Sequence, residues 1–548
     1  VRIRSAGPGA CYVDVADAPS PDTALRIGAL QRALLASAPA TVRDVVPGYT
    51  NLLVEFRLGA DPERLRRWLR ASEHALEQAP PPATRRRVDV RYGENADVEA
   101  LSARLGLPWE RIAALHAGAV YTVAFLGFTP GFPYLLGLPQ ALATPRRQTP
   151  RSRVPAGSVA IAGEHAGIYP SASPGGWWIV GRTDTTLFDP RRWPPTAWAP
   201  GDEVRFVPVR DGAPAQGAAP AATGPDATGP DATGPGATGS PEAEERAPLG
   251  DPDARPVLEV LEAWTPSATL QAAPRWRVGH LGMAQAGALD PLALELANAA
   301  AGNAGEAPAL ELLDMPLTLR ALEPVTAALV CGGHRARLEG RPQPTAAPFA
   351  WPAGATLELV PGGRARGRAS YLALAGGLAA ERFGGSASTD LRAGVGGGRR
   401  ALRAGDVVGL GEGRVAPVAS RAELHLRPHY PRRLLLRVHP GPQFDAETFA
   451  RLTATRFRVA GFDRTGVRLE GPGLPQSAPD VRSEGSPWGA LQLPADGQPI
   501  VLLADRGRTG GYAKPAVVDV RDLWRLAQAP AGTEVGFAAA GSPPDPAT

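Results

Sequence analysis

Short apolar runs cut by glycine and proline turns make up most of the chain, and helical periodicity is confined to a few segments. Between residues 10 and 92 the two patterns alternate. Residues 11–15 read as a strand, and 22–36 repeat at helical spacing with Asp22 as N-cap. Residues 41–46 and 51–57 alternate again around a Pro47-Gly48-Tyr49 turn. Residues 61–78 carry an amphipathic stripe, and 88–92 form a last strand. That βαββαβ order predicts a small ferredoxin-like α/β domain. Two short helices are expected at 98–105 and 109–116. From about Tyr121 the texture becomes TVAFLGF, SVAIAG, WWIVGRT and EVRFVPV, short β runs between turns, which predicts a barrel or sandwich. The C-terminal part repeats it (TAALVCG, TLELVPG, LLLRVHPG, PIVLLAD, EVGFA), with one clear helix at 289–301. The fold class expected is mainly β with α/β.

Residues 211–256 break this pattern. Near-copies of a five-residue unit (ATGPD, ATGPD, ATGPG, ATGSP) begin at Ala222. Small, polar, Pro/Gly-rich repeats bury no core, so a flexible linker is expected. The domains expected are 1–95 (small α/β), 96–210 (β-barrel), the linker at 211–256, 257–425 (β-barrel) and 426–541 (β-barrel).

Composition narrows the function classes. The 548 residues are 44% hydrophobic and 20% charged, ordinary globular usage. The net charge is +4 and the arginines are scattered, so no basic stripe points to nucleic acid. No apolar run is long enough to predict a membrane span, and the N-terminal residues lack the apolar centre of a signal peptide. Cys11 and Cys331 are far apart and no CxxC occurs, which predicts free thiols in a reducing cytoplasm and no metal site. Among the 58 basic residues only Lys514 is lysine. Two readings compete: an accidental surface survivor, or a position that needs a compact, movable ammonium which arginine cannot supply.

No GxxxxGK[ST] phosphate loop occurs, and GVGGGRR at 394–400 has no strand–helix context, so a glycine-rich β turn is expected there. GGSAS at 384–388 does not fit a serine-nucleophile elbow. His425 and His429 are interrupted by Pro428, while His116 and His165 are candidate acid–base groups or plain structural histidines. Denser strings remain. FLGFTPGFPYLLGLP (125–139), PRSRVPAGSVAIAG (150–163) and GIYPSASPGGWWIVGRT (167–183) offer Arg151, Arg153, Ser158, Tyr169, Ser173, Trp177 and Arg182 around bare glycines. Cations, hydroxyls and open backbone N–H groups suit an anion or carbonyl; tight barrel turns are the alternative. FDRTGVRLEG, GALQLPADGQPIVLLAD and RGRTGGYAKP supply Asp463, Arg464, Arg468, Gln492, Asp496, Gln498, Asp505, Thr509 and Tyr512, and end at Lys514. Asp290 opens the 289–301 helix and reads as its cap.

These strings carry a resemblance. GFTPGFPYL, PR-R-VPAGSVAIAG and GIYP-SPGGWWIVGRT resemble the B subunit of ATP-dependent 5-oxoprolinase, whose family includes a sporulation-kinase inhibitor and allophanate hydrolase subunit 1. AGALD-AN--GN, FDRTG-RL and SEG---GALQ-P-DGQPIVLLADR-TGGY-K resemble the C subunit, or allophanate hydrolase subunit 2. The resemblance implies cyclophilin-like β-barrels behind the small domain. It also implies a cytoplasmic component that opens the cyclic amide 5-oxo-L-proline to L-glutamate, using ATP with Mg2+ and a separate A subunit. By that reading Lys514 and Arg182 stabilise charge, with Asp463 or Asp505 orienting them or acting as base. Substrate or nucleotide would meet Phe132, Arg151, Ser158, Tyr169, Ser173, Trp177, Arg464, Arg468, Gln492, Gln498, Thr509 and Tyr512. The lone lysine sits in Ala-Lys-Pro, unlike a biotin hairpin, so no attached biotin is expected. The C-like half departs from its pattern: Ala272 stands for an acid, Pro274 for glycine, Ala387 for arginine, Phe462 for serine, and Gly507-Arg508 for Gln-Thr. Two alternatives stay open: a non-catalytic regulator, which the altered Ala272 and Ala387 positions favour, and an allophanate hydrolase or carboxyltransferase-like partner in urea metabolism.

Overall fold

A computed structural model describes residues 1–77, 83–93, 97–149, 151–209, 247–264, 266, 268–330, 332–362, 367–413, 430–475 and 481–541. The expected linker lies outside the described residues as far as 246, as do Cys331, His425 and His429. The chain forms two compact units. One comprises Val1–Ala218, Arg275–Gln285 and Arg432–Thr548; the other comprises Ala219–Pro274 and Ala286–Pro431.

The first unit begins with an antiparallel sheet in the order Arg2–Ser5, Ala10–Asp14, Asn51–Phe56, Val42–Pro47. Helices Pro21–Ala36 and Pro62–Ser72 bury Ile27, Leu30, Leu34, Leu65 and Trp68 against Val13, Val45, Leu52 and Val54. The first helix is capped by Ser20, not Asp22: the Thr23 amide donates to Ser20 Oγ at 3.0 Å. Pro21 then fills the first turn, where a missing N–H leaves no helix bond unmade. Asp61 caps the second helix, accepting from the Glu63 amide at 2.9 Å. The expected last strand does not join this sheet. Arg85–Tyr92 pairs in parallel with Glu203–Pro208 and antiparallel with Trp178–Arg182, and Arg2–Ser5 takes the edge place instead. Its alternation buries Val88 and Val90 in the barrel; periodicity fixes which face turns inward, not which sheet the strand joins.

Two closed seven-strand barrels follow in the same unit. Counted from its own first strand, each closes in the order 1-6-4-5-3-2-7, so the second repeats the topology of the first. Each is sealed by a parallel pair of its first and last strands, Arg85–Tyr92 with Glu203–Pro208 and Arg433–Pro440 with Glu534–Ala539. Each also carries a small accessory pair. Arg151–Val154 pairs with Ser173–Gly175 in the first, and Glu484–Gly485 with Thr509–Gly510 in the second. The repeat aligns Gly-Gly-Trp-Trp at 175–178 with Gly-Gly-Tyr-Ala at 510–513. The C-terminal barrel also holds helices Ala446–Ala454 and Val520–Ala527, which the strand-dominated reading of that region missed.

The second unit packs a six-strand and a five-strand sheet over one core that includes Val257, Leu270, Leu312, Leu319, Trp351 and Leu372. Among the described residues hydrogen bonding does not close either sheet into a ring. Helix Pro291–Ala301 covers the five-strand sheet, and Asp290 caps it, accepting from the Ala293 amide at 3.0 Å. Among the described residues no helix is long and apolar enough to cross a membrane.

Candidate functional site

The glycine-rich strings of the first barrel fold into an aromatic cluster. Phe125 stacks on Tyr134 at 4.4 Å, and Phe132 stands edge-on to Tyr134, Tyr169 and Trp177 at 5.0, 5.2 and 5.5 Å. Glycine is required around it. A Cβ on Gly167 would lie 2.7 Å from the Phe132 ring, and one on Gly175 only 2.3 Å from the Tyr169 hydroxyl. Arg151 braces the cluster. It pairs with the fully buried Asp97 and donates to the Trp177 carbonyl at 3.4 Å. Asp97 also accepts from Arg147 at 2.9 Å and from the Ile179 amide at 2.8 Å. Ser158 donates to the Pro155 carbonyl at 2.8 Å and shapes a turn, and the buried Ser173 hydroxyl has no partner among the described residues.

Strings from the C-terminal barrel meet this cluster. The Phe128 amide donates to Thr509 Oγ1 at 2.9 Å, and a Cβ on Gly127 would sit 2.2 Å from that oxygen. Ser483 and Thr509 stand at the Tyr134 hydroxyl. The Tyr49 amide donates to the Ser483 carbonyl at 3.3 Å, and the Tyr49 ring stacks on His165 with centroids 4.1 Å apart. Burial, with the fields of Arg146 and Arg482 added, lowers His165 to about 4, so the ring is neutral near pH 7. The Tyr49 hydroxyl and His165 Nδ1 have no partner among the described residues. A Cβ on Gly511 would lie 3.1 Å from an Arg146 guanidinium nitrogen, and one on Gly510 would lie 2.8 Å from the Gln492 amide nitrogen.

Lys514 is enclosed, with a fully buried side chain. Its ammonium pairs with Glu484 at 3.1 Å and donates to the Tyr512 carbonyl at 3.1 Å. Gln443 and Asn51 also donate to Glu484, at 2.7 and 3.1 Å. Burial lowers the Lys514 pKa, and Glu484 only partly offsets it. The acid that Lys514 meets is therefore Glu484, not Asp463 or Asp505.

A second buried charge group ties the small domain to the C-terminal barrel. Arg508 reaches Glu55 at 2.6 Å and Asp44 at 3.1 Å, while Arg506 reaches Glu55 at 2.7 Å and Gln285 at 2.9 Å. The Gly279 amide points at the Asp44 carboxylate, 3.2 and 3.3 Å from its oxygens. Burial would raise Glu55, but the two guanidiniums override it and hold the carboxyl at about 2. Burial wins at Asp44, which rises to about 6, and at Arg506, which falls to about 9. A small cavity of about 40 Å3, room for a few waters, adjoins Glu55, Gln285 and Trp488.

The other sequence candidates lie elsewhere. Arg464 and Asp505 form a buried two-pronged pair at 2.7 and 3.0 Å. Asp463 is exposed and closes a hairpin turn by accepting from the Thr465 and Gly466 amides. Arg468 is exposed on the following strand. Gln498 locks the Gly471 backbone through bonds of 2.9 and 3.1 Å. Arg182 is exposed and adds its field to Asp184, which Arg91 clasps. The structure therefore joins Phe132, Tyr169, Trp177, Thr509 and their neighbours, and leaves Asp463, Arg468, Gln498 and Arg182 in other surroundings. Tyr49, Tyr134, Arg146, Arg482, Ser483 and Glu484 escaped the sequence reading as site residues. For Tyr49, Tyr134, Ser483 and Glu484 the one visible signal was position near the Pro47-Gly48, Gly131-Phe132 and Gly485 turns. In the second unit, Ala272 and Ala387 are both buried, and the Ala272 amide donates to Ser388 Oγ at 3.0 Å.

Comparisons with known proteins agree with the two-part reading. The family described as carboxyltransferase domain, subdomains C and D, matches residues 1–198, and carboxyltransferase domain, subdomains A and B, matches 281–539. The chain is 46% identical to the 5-oxoprolinase B subunit of Escherichia coli O157:H7 over 178 residues, 31% of this chain and 80% of that protein. It is 34% identical to the 5-oxoprolinase C subunit of Escherichia coli K12 over 277 residues, 49% of this chain and 87% of that protein. A crystal structure of TTHA0988, 39% identical, superposes with a TM-score of 0.78 over 96% of this chain and 99% of that one.

Proposed function

Because this chain belongs to the family of the 5-oxoprolinase B and C subunits, with both parts in one polypeptide, we propose that it is the ATP-using component of a 5-oxoprolinase. With a separate A subunit it opens 5-oxo-L-proline to L-glutamate. The observation that carries this reading is the interlock of Gly127-Phe128 from the B-like part with Thr509 from the C-like part. It brings the aromatic cluster of one barrel and the Gly510-Gly511 backbone of the other to a common edge.

The chemistry explains the need for ATP. A lactam is stabilised by amide resonance, and its ring opening is uphill unless coupled. Attack of the lactam oxygen on the γ-phosphorus releases ADP and leaves a phosphorylated imidate. Water then adds at the ring carbon and the C–N bond breaks, leaving an acyl phosphate and a free amine. A second water attacks the acyl carbon, and phosphate departs with the former lactam oxygen to give glutamate. Charge grows on phosphoryl oxygens in the first step, where fixed cations and N–H donors act most strongly. Exposed Arg146 and Arg482, and the backbone at Gly510 and Gly511, suit that demand. Lys514, sealed against Glu484, holds the edge in place. Mg2+ would enter on the nucleotide phosphates. The enclosure of the lone lysine supports a chain without a biotin arm of its own. The test uses 5-oxoproline labelled with 18O at the lactam oxygen. Labelled inorganic phosphate is expected; unlabelled phosphate formed alongside glutamate would overturn the reading.

A further inference from the structure

We propose that Arg146 and Arg482 form, around the His165–Tyr49 stack, a binding site for the oxyanion group of a small ligand, a carboxylate or a phosphate. This rests on the functional reading above, and it names which side chains meet the ligand's charge. Arg146 lies in the first barrel over Gly511 of the second, and Arg482 is next to Ser483, whose carbonyl holds the Tyr49 backbone. Both guanidiniums are exposed and both act on His165, and Arg482 also donates to the Asp17 carbonyl at 3.1 Å. Two like charges from separate barrels, converging on a neutral ring, leave a positive field that an anion would neutralise. Tyr49 supplies an independent sign of a missing partner. It is 3% exposed, and its hydroxyl has no hydrogen-bond partner among the described residues. A buried hydroxyl left so is costly unless something bonds it. His165 Nδ1 is orphaned in the same place. The two orphaned polar atoms suit a small ring with N–H and C=O groups, held by its charged substituent.

The experiment is calorimetric titration of the full chain with three probes: 5-oxo-L-proline, 2-pyrrolidinone (the same ring without the carboxylate) and ADP. It is repeated on Arg146→Gln/Arg482→Gln, two exposed changes, and on Tyr49→Phe. The expected result is 5-oxoproline binding at least tenfold tighter than 2-pyrrolidinone, with the difference abolished in the double variant and weakened several-fold in Tyr49→Phe. Loss of ADP binding in the double variant, with 5-oxoproline unaffected, would assign the oxyanion to phosphate. Both anions binding the double variant as they bind the wild type, or no probe binding the wild type, would overturn the site. Turnover with the A subunit separates the two ideas. Unchanged KM values in the double variant sink the site and leave the activity standing. Retained anion binding without any 5-oxoproline turnover sinks the activity and leaves the site.

Discussion

Replacing Glu55 by glutamine tests how the small domain and the C-terminal barrel are held together. Its carboxylate lies between two fully buried guanidiniums, 2.7 Å from Arg506 and 2.6 Å from Arg508. The fold holds it at about 2, against an ordinary value of 4.5. That difference corresponds to about 3 kcal/mol at neutral pH, in line with the roughly 3–5 kcal/mol lost when one partner of a buried ion pair is removed. Because the folded value lies below the unfolded one, this stabilisation is whole above pH 4.5 and drains away as the pH falls towards 2. Scanning calorimetry at pH 7 should therefore show Glu55→Gln melting lower by on the order of 5 °C in the unit that contains it. At pH 3 the stability gap should shrink to under half its value at pH 7. An unchanged midpoint at pH 7, or a gap that widens towards pH 3, would refute the reasoning.

Three further outcomes follow from the same geometry. Lys514→Met strands Glu484 without its cation and should cost about 3–5 kcal/mol in urea titration, while adding Glu484→Gln should recover most of it by leaving no buried charge. Gly127→Ala drives a methyl onto Thr509 Oγ1, 2.2 Å away; it should lower the melting temperature and the 5-oxoproline turnover together, and Thr509→Ala in the same chain should relieve part of the loss. Ala272→Asp places a carboxylate at a position 4% exposed and should destabilise the second unit by about 2 kcal/mol or more in calorimetry. Combined with Ala387→Arg it should cost less than the two single changes summed, since the Ala272 amide bonds Ser388 beside residue 387.

Much of the fold was legible because local chemistry and tertiary packing agreed. The strands 42–47 and 51–56 bracket a Pro-Gly-Tyr turn, and Asp290 announces its helix by capping it. The strand at 85–92 belongs to a different sheet from the one its neighbours suggest, because alternation is blind to partners. The helices at 446–454 and 520–527 are two or three turns long and sit among strand-like runs, too short for periodicity to stand out. The site was legible wherever glycine marked a close approach, as at Gly167, Gly175 and Gly127. It was not legible where charges far apart in sequence meet. Nothing near Lys514 in the chain points to Glu484 thirty residues earlier, and nothing near Asp44 or Glu55 points to Arg506 and Arg508. The barrel repeat was hidden too, since strand order carries it and the residues show it in short pieces such as Pro-x-Gly at 155–157 and 487–489 and the Gly-Gly-aromatic pair.

The most direct measurement mixes the purified full chain with a matching A subunit and follows ADP release as 5-oxo-L-proline is added. ADP formation is expected to rise with 5-oxoproline and to yield glutamate in equal amount. ADP formed at the same rate without the lactam, or glutamate formed without ATP, would contradict the proposed coupling.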